Sequence, residues 1–177
     1  MEKAIYHSKE DPPDLYLASE KLWGGCVCVL KDTFYGIGVA VKSHRGLSAC
    51  QELATNACDN GDFVSNNPGL ISLLIDGWTA GHQMHRYHYG ESPFELEEFS
   101  RKMSEDLFFI QNFEKLDTQM IADDVIPILQ KFESEAGDQS KMNKLKKKYG
   151  FAVPKPHITE IFSHNGQLKD GVSYVIF

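Results

Sequence analysis

Apolar positions along the chain change their period several times, and each change marks a predicted element. In the stretch Asn66–Gly90, Ile71, Leu74, Ile75 and Trp78 recur at helical spacing, the stripe of a helix that faces a core. His82 and His85 continue that stripe. Pro68 and Gly69 open the segment as a turn, and Gly90 supplies a C-terminal stop. Gly77, Ala80 and Gly81 thin the helix, so either another backbone approaches or the helix breaks at Gly81. Each glycine costs about 1 kcal/mol relative to alanine in a helix interior.

Two further patterns are helical. Ser92-Pro93-Phe94-Glu95 has the form of a capping box with proline at the first helical position. Behind it Leu96, Phe99, Met103, Leu107 and Ile110 repeat at three and four, predicting a helix Pro93–Phe113. Those five face inward in this reading, with Glu97, Glu98, Arg101 and Glu105 outside. Gly46–Cys58 carries a stripe of Leu47, Cys50, Leu53, Ala54 and Ala57, ended by Asn60-Gly61. Thr118–Phe132 is helical as well, with a break expected near Asp123, because Asp124 as N-cap would place Pro127 in the first turn.

The ends of the chain predict strands. Asp14–Leu22 forms a short helix that Gly24-Gly25 closes. Cys26–Leu30 is apolar on both faces, the sign of a buried strand, and Phe34–Lys42 returns after a turn at Lys31-Asp32-Thr33. Gly36 and Gly38 fall on one face of that hairpin, where a ligand or a neighbouring element could come close. Beyond a lysine-rich helix at Ser140–Tyr149, His157–Ser163 and Val172–Phe177 pair through the Asn165-Gly166 turn. The expected fold is α+β: a small antiparallel sheet from the N-terminal hairpin and the C-terminal strands, packed against a helical middle. Length sets it as one domain over 177 residues, with residues 1–13 a flexible leader and Val175 and Phe177 buried in the sheet.

Composition narrows the classes. No run approaches the roughly 18–20 apolar residues that cross a bilayer, and the polar start MEKAIYHSKEDPPD lacks a signal core. A soluble cytoplasmic protein with no membrane partner is expected. Cys26, Cys28, Cys50 and Cys58 match neither zinc nor redox spacing and read as reduced core residues. The net charge is −7, and Glu91–Asp124 carries that much by itself, with ten acids against Arg101, Lys102 and Lys115. An acidic total argues against nucleic acid, since phosphate neutralisation drives such binding. The basic segment Lys141–Lys155 is the local exception, able to dock a phosphate or an acidic partner.

Candidate chemistry centres on histidine. His82, His85 and His88 lie within seven residues, with Arg86 among them and Glu91 close behind. Imidazole is the commonest transition-metal ligand, and i,i+3 spacing suits one ion, so His82 and His85 are the candidate ligands for a divalent metal. On a straight helix His88 drifts about 120° from His82, which leaves two imidazoles for one ion. The segment is not HExxH, and the alternative is a helix end whose histidines stack on Trp78, Tyr87 and Tyr89.

A second candidate is Pro156-His157-Ile158-Thr159. It resembles half of the signature of the 2H phosphoesterases, in which two His-x-Thr/Ser motifs grip a phosphate. No other histidine here is followed two residues later by Thr or Ser, so the resemblance covers four residues. His157 and Thr159 remain candidate binding residues beside His82, His85, Arg86 and His88. Cys26 or Cys28 beside His44 would be the pairing for a nucleophile, but an apolar strand does not activate a thiol. The expected function is a small binding or regulatory protein that recognises a protein partner or a small, phosphate-bearing ligand. Its alternative is a metal-assisted hydrolase or phosphoesterase built on His82 and His85.

Overall fold

Among the described residues seven α-helices follow one another: α1 Glu2–Ser8, α2 Leu15–Gly36, α3 His44–Cys58, α4 Asp62–Ser65, α5 Leu70–His88, α6 Leu96–Phe113 and α7 Thr118–Glu135. They belong to a computed structural model that describes residues 1–41 and 44–135 together with Asp138 and Ser140. Among these residues there is no β-strand, which overturns the expected α+β fold. The C-terminal strands, the lysine-rich helix, His157, Thr159, Val175 and Phe177 lie outside the described residues.

The main correction falls on α2. Asp14 caps it, its Oδ1 accepting from the Leu17 amide at 2.9 Å. The helix then runs through Gly24-Gly25 and through the whole predicted first strand and turn. Ala18, Leu22, Cys26, Leu30 and Phe34 are buried at successive intervals of four, whereas Cys28 is exposed. A strand would have set Cys26, Cys28 and Leu30 on one face. Burial on two adjoining helical rows made the run look apolar on both sides.

The predicted second strand contains the stop of α2. Gly38 has φ +80°. Its amide donates to the Tyr35 carbonyl at 3.0 Å, and the Val39 amide donates to the Phe34 carbonyl at 2.9 Å. These two bonds make a Schellman motif, in which a left-handed residue lets the chain turn back on the last helical carbonyls. Buried Val39 completes its apolar contact.

The chain forms two compact units. The first comprises Met1–Leu30 and Asp62–Leu116. In it α5 lies along α6. Ala4 of α1, Ala18 and Leu22 of α2, Met84 and Tyr87 of α5 and Phe99 of α6 form a common core cluster. α5 is unbroken at Gly81, and Gly90 (φ +73°) stops the chain after it with the same Schellman pair, Gly90 to Tyr87 and Glu91 to Arg86. Ile75, predicted inside, is 45% exposed.

The face of α6 is also turned from the predicted one. Glu95 is its N-cap, in extended conformation and without a side-chain cap bond, so Pro93 stands outside the helix. Phe99, Lys102, Asp106, Phe109 and Phe113 are buried, while Leu96 is 63% exposed and Met103, Leu107 and Ile110 are half-buried. A reading that admits only apolar side chains to the interior passes over the two charged ones.

The second unit comprises Lys31–Gly61 and, of the described residues, those from Asp117 on. Here α3 packs on α7. Leu47, Cys50, Leu53, Ala54 and Ala57 are buried as the stripe predicts, against Ile121, Val125 and Leu129 of α7. Asp117 caps α7 by accepting from the amides of Gln119 (2.8 Å) and Met120 (3.1 Å). No break occurs near Asp123; the helix continues through Pro127. Pro127 and Asp123 are both exposed, so the carbonyl that loses its donor can turn to water.

Candidate binding face and buried acid

The histidines sit on the last turns of α5, in the first unit, opposite the start of α2. Trp23 of α2 is the platform. His82 packs on it at a ring distance of 4.5 Å and His85 at 5.2 Å, with Trp78 at 5.2 Å beneath. His85 turns its Nδ1 to Glu20 Oε2 at 3.1 Å, which ties α5 to α2 by a charge-assisted bond when the ring is protonated. One turn on, His88 Nδ1 donates to the Tyr16 carbonyl at 2.9 Å. The rings of His85 and His88 both meet Tyr89 edge-on at 5.0 Å.

This arrangement brings together four of the predicted site residues and assigns them different neighbours. His82 faces the aromatic layer, His85 a carboxylate, His88 a backbone carbonyl, and Arg86 pairs through Nε with Glu91 at 3.4 Å. Among the described residues no three His, Cys, Asp or Glu side chains are placed to hold a metal ion. The expected divalent-metal site at His82 and His85 therefore finds no third ligand there.

Sequence reasoning missed Tyr16, Glu20 and Trp23, because the first two lie on what was predicted to be a separate small helix, Asp14–Leu22, and Trp23 just past its end. Tyr16 is 53% exposed yet stacks on Tyr87 at 4.9 Å and 16°. Tyr89 is 64% exposed. Both exposed rings are thus held by other rings.

Asp106 of α6 was missed as well. It is fully buried, and its Oδ1 accepts from the Cys26 thiol at 3.1 Å. Its Oδ2 has no hydrogen-bond partner. Burial pushes its pKa up to about 7, against a smaller opposing pull from the thiol bond. The Cys26 thiol is raised well above its ordinary value, first by burial and then by the neighbouring carboxyl, which makes it inert rather than nucleophilic. Phe99 and Phe113 are fourteen residues apart, and Asp106 lies midway on the same helical row. That phase was the available signal.

Glycines bring the helices together around the acid. A Cβ on Gly77 would stand 2.5 Å from the Glu105 carbonyl oxygen and 2.7 Å from Phe109 Cβ. One on Gly81 would stand 3.2 Å from both Asp106 Oδ2 and Cys26 Sγ. Only a residue without Cβ permits α5 to lie this close to α6.

Two of the concavities of this unit lie elsewhere. One, of about 500 Å³, is lined by Glu2, Ile5, Tyr6, Lys9 and Glu10. The other, of about 340 Å³, lies among Phe63, Pro68, Leu70, Leu73, Phe108 and Asn112. Neither is lined by a histidine. No helix among the described residues is long and apolar enough to cross a membrane. The chain matches no known protein family, and no curated protein or solved structure is significantly similar to it.

Proposed function

We propose that the protein is a binding protein and that the face where α5 ends recognises a protein partner. The observation that carries this reading is the pair Tyr16 and Tyr89, exposed by more than half and each fixed against further rings. An exposed aromatic ring that is already immobile loses little entropy on binding and supplies large contact area. Tyrosine and arginine are also the residues in which binding energy concentrates, and Arg86 is 60% exposed beside them.

The charges favour a protein over a phosphate. Arg86 already faces Glu91, and His85 already faces Glu20. Mixed, paired charge at the rim of an aromatic patch is the make-up of a protein interface.

A photo-crosslinking residue placed at position 89, at 16 and at 75 in the full chain tests this in cells. Ile75 is exposed on the same helix, fourteen residues earlier, or about 21 Å along its axis. One and the same protein should be captured from positions 89 and 16 but not from 75, and adding R86A should reduce its yield at least tenfold. Equal capture from position 75, or no shared adduct from 89 and 16, sinks the reading.

A further inference from the structure

Asp106 occupies a place that a purely structural helix would give to leucine. It joins three helices: its Oδ1 holds the thiol of Cys26 on α2, and its Oδ2 lies against Gly81 of α5. At that point the α5 backbone is in van der Waals contact with α6, since Gly77 meets the Glu105 carbonyl one turn away. A neutral carboxylic acid fits such a seam, with one oxygen accepting from the thiol. A carboxylate fits worse, because it buries a charge on an oxygen with no hydrogen-bond donor, a larger penalty than the unpaired O–H of the neutral acid.

The chargeable groups within one turn of these contacts are few. They are Cys26 and Cys28 on α2, Asp76, His82 and His85 on α5, and Arg101, Lys102 and Glu105 on α6, of which Asp76 and Arg101 are exposed. His85 is engaged by Glu20, and Lys102 Nζ points to Glu105 Oε2 at 3.5 Å. Cys28 is exposed. Asp106 itself has the Cys26 thiol on Oδ1 and no hydrogen-bond partner on Oδ2.

From this geometry we infer that Asp106 is a proton switch: protonated, it locks the glycine seam of α2, α5 and α6, and deprotonated, it forces that seam open. Burial sets the switching range near neutrality. Because the folded chain holds a proton that the unfolded chain releases at lower pH, the contribution to stability is complete in acid. It is lost as pH rises through about 7. The opening moves the same helix that carries His85, Arg86 and Tyr89, so the state of Asp106 would reach the end of α5.

Trp23 and Trp78 report on the seam, as the full chain has only these two tryptophans. A Cβ on Gly81 would stand 3.4 Å from the Trp23 ring. Near-ultraviolet circular dichroism and tryptophan emission, followed from pH 5 to 9 with far-ultraviolet signal as control, should show a reversible step that helix content does not share. D106N should lose the step. H82Q and H85Q should keep it, which separates Asp106 from the two histidines. Should D106N not fold, C26A serves: it removes a donor from the carboxylate and should shift the midpoint to higher pH. A step that survives in D106N, vanishes in H82Q or H85Q, or stays fixed in C26A overturns the switch, as does its absence in the parent chain.

Discussion

The packing of α5 on α6 and that of α3 on α7 solve the same problem by different means. α3 and α7 present aliphatic stripes to one another, Leu47, Leu53 and Ala57 on one side and Ile121, Val125 and Leu129 on the other. Of the buried polar groups of α3, Thr55 Oγ1 donates to the Gln51 carbonyl at 3.0 Å and the Cys58 thiol to the Asp117 carbonyl at 3.6 Å, while Gln51 Nε2 has no hydrogen-bond partner. α5 and α6 instead come together over glycine, enclose an acid, and stack aromatic rings about it. The first arrangement is an aliphatic packing. The second is tight, and a single charge or methyl group disturbs it.

Substitutions sharpen this contrast, and the largest effect belongs to the aromatic layer. Phe109 is fully buried and lies 5.4 Å from the Trp78 ring and 4.7 Å from Phe113. F109A should cost about 3–5 kcal/mol in urea unfolding and shift native tryptophan emission to the red. L129A on α7 should cost about 2–5 kcal/mol by the same measure and leave native emission as it is. An emission change in L129A as large as in F109A would erase the distinction between the two packings.

Next in size are the glycines. G77A gains roughly 1 kcal/mol of helix propensity. The added methyl group, however, meets a backbone carbonyl and a Cβ, neither of which can swing away. Overpacking of this kind costs about 1–3 kcal/mol, so the thermal midpoint should fall. The smallest effect has the opposite sign. A Cβ on Gly24 of α2 meets nothing within 4 Å, so G24A should stabilise by about 0.5–1 kcal/mol. If G77A raised the midpoint as G24A does, the close approach of α5 to α6 would be refuted.

How much of this was legible depends on the element. α3 was readable because its stripe is wholly apolar and it ends at Asn60-Gly61. α5 was readable in extent, since Gly90 terminates it as predicted, but two glycines in its interior suggested a break. Those residues cost helix propensity and are retained for the contact with α6, which no local pattern contains. The histidine segment was correctly placed on one helix. Its partners Glu20, Trp23 and Tyr16 come from far along the chain, at separations of 65 residues between Glu20 and His85 and 72 between Tyr16 and His88.

Local chemistry thus determined the left-handed stop at Gly90 and the helical phase of α3, because those depend on neighbours within a few residues, whereas the caps expected at Ser92 and Asp124 give way to Glu95 and Asp117. α2 shows the limit. Its composition is that of a β-hairpin, rich in Val, Cys and Gly, and what sets part of its buried face is packing against α5 and α6 at Trp23, Gly25 and Cys26. Tertiary structure alone decided that Asp106 is inside, that Ile75 and Leu96 are outside, and that Cys26 faces a carboxyl group. The reason is physical: burial of a charge or exposure of a leucine is set by what packs against it, and a sequence window does not hold that information.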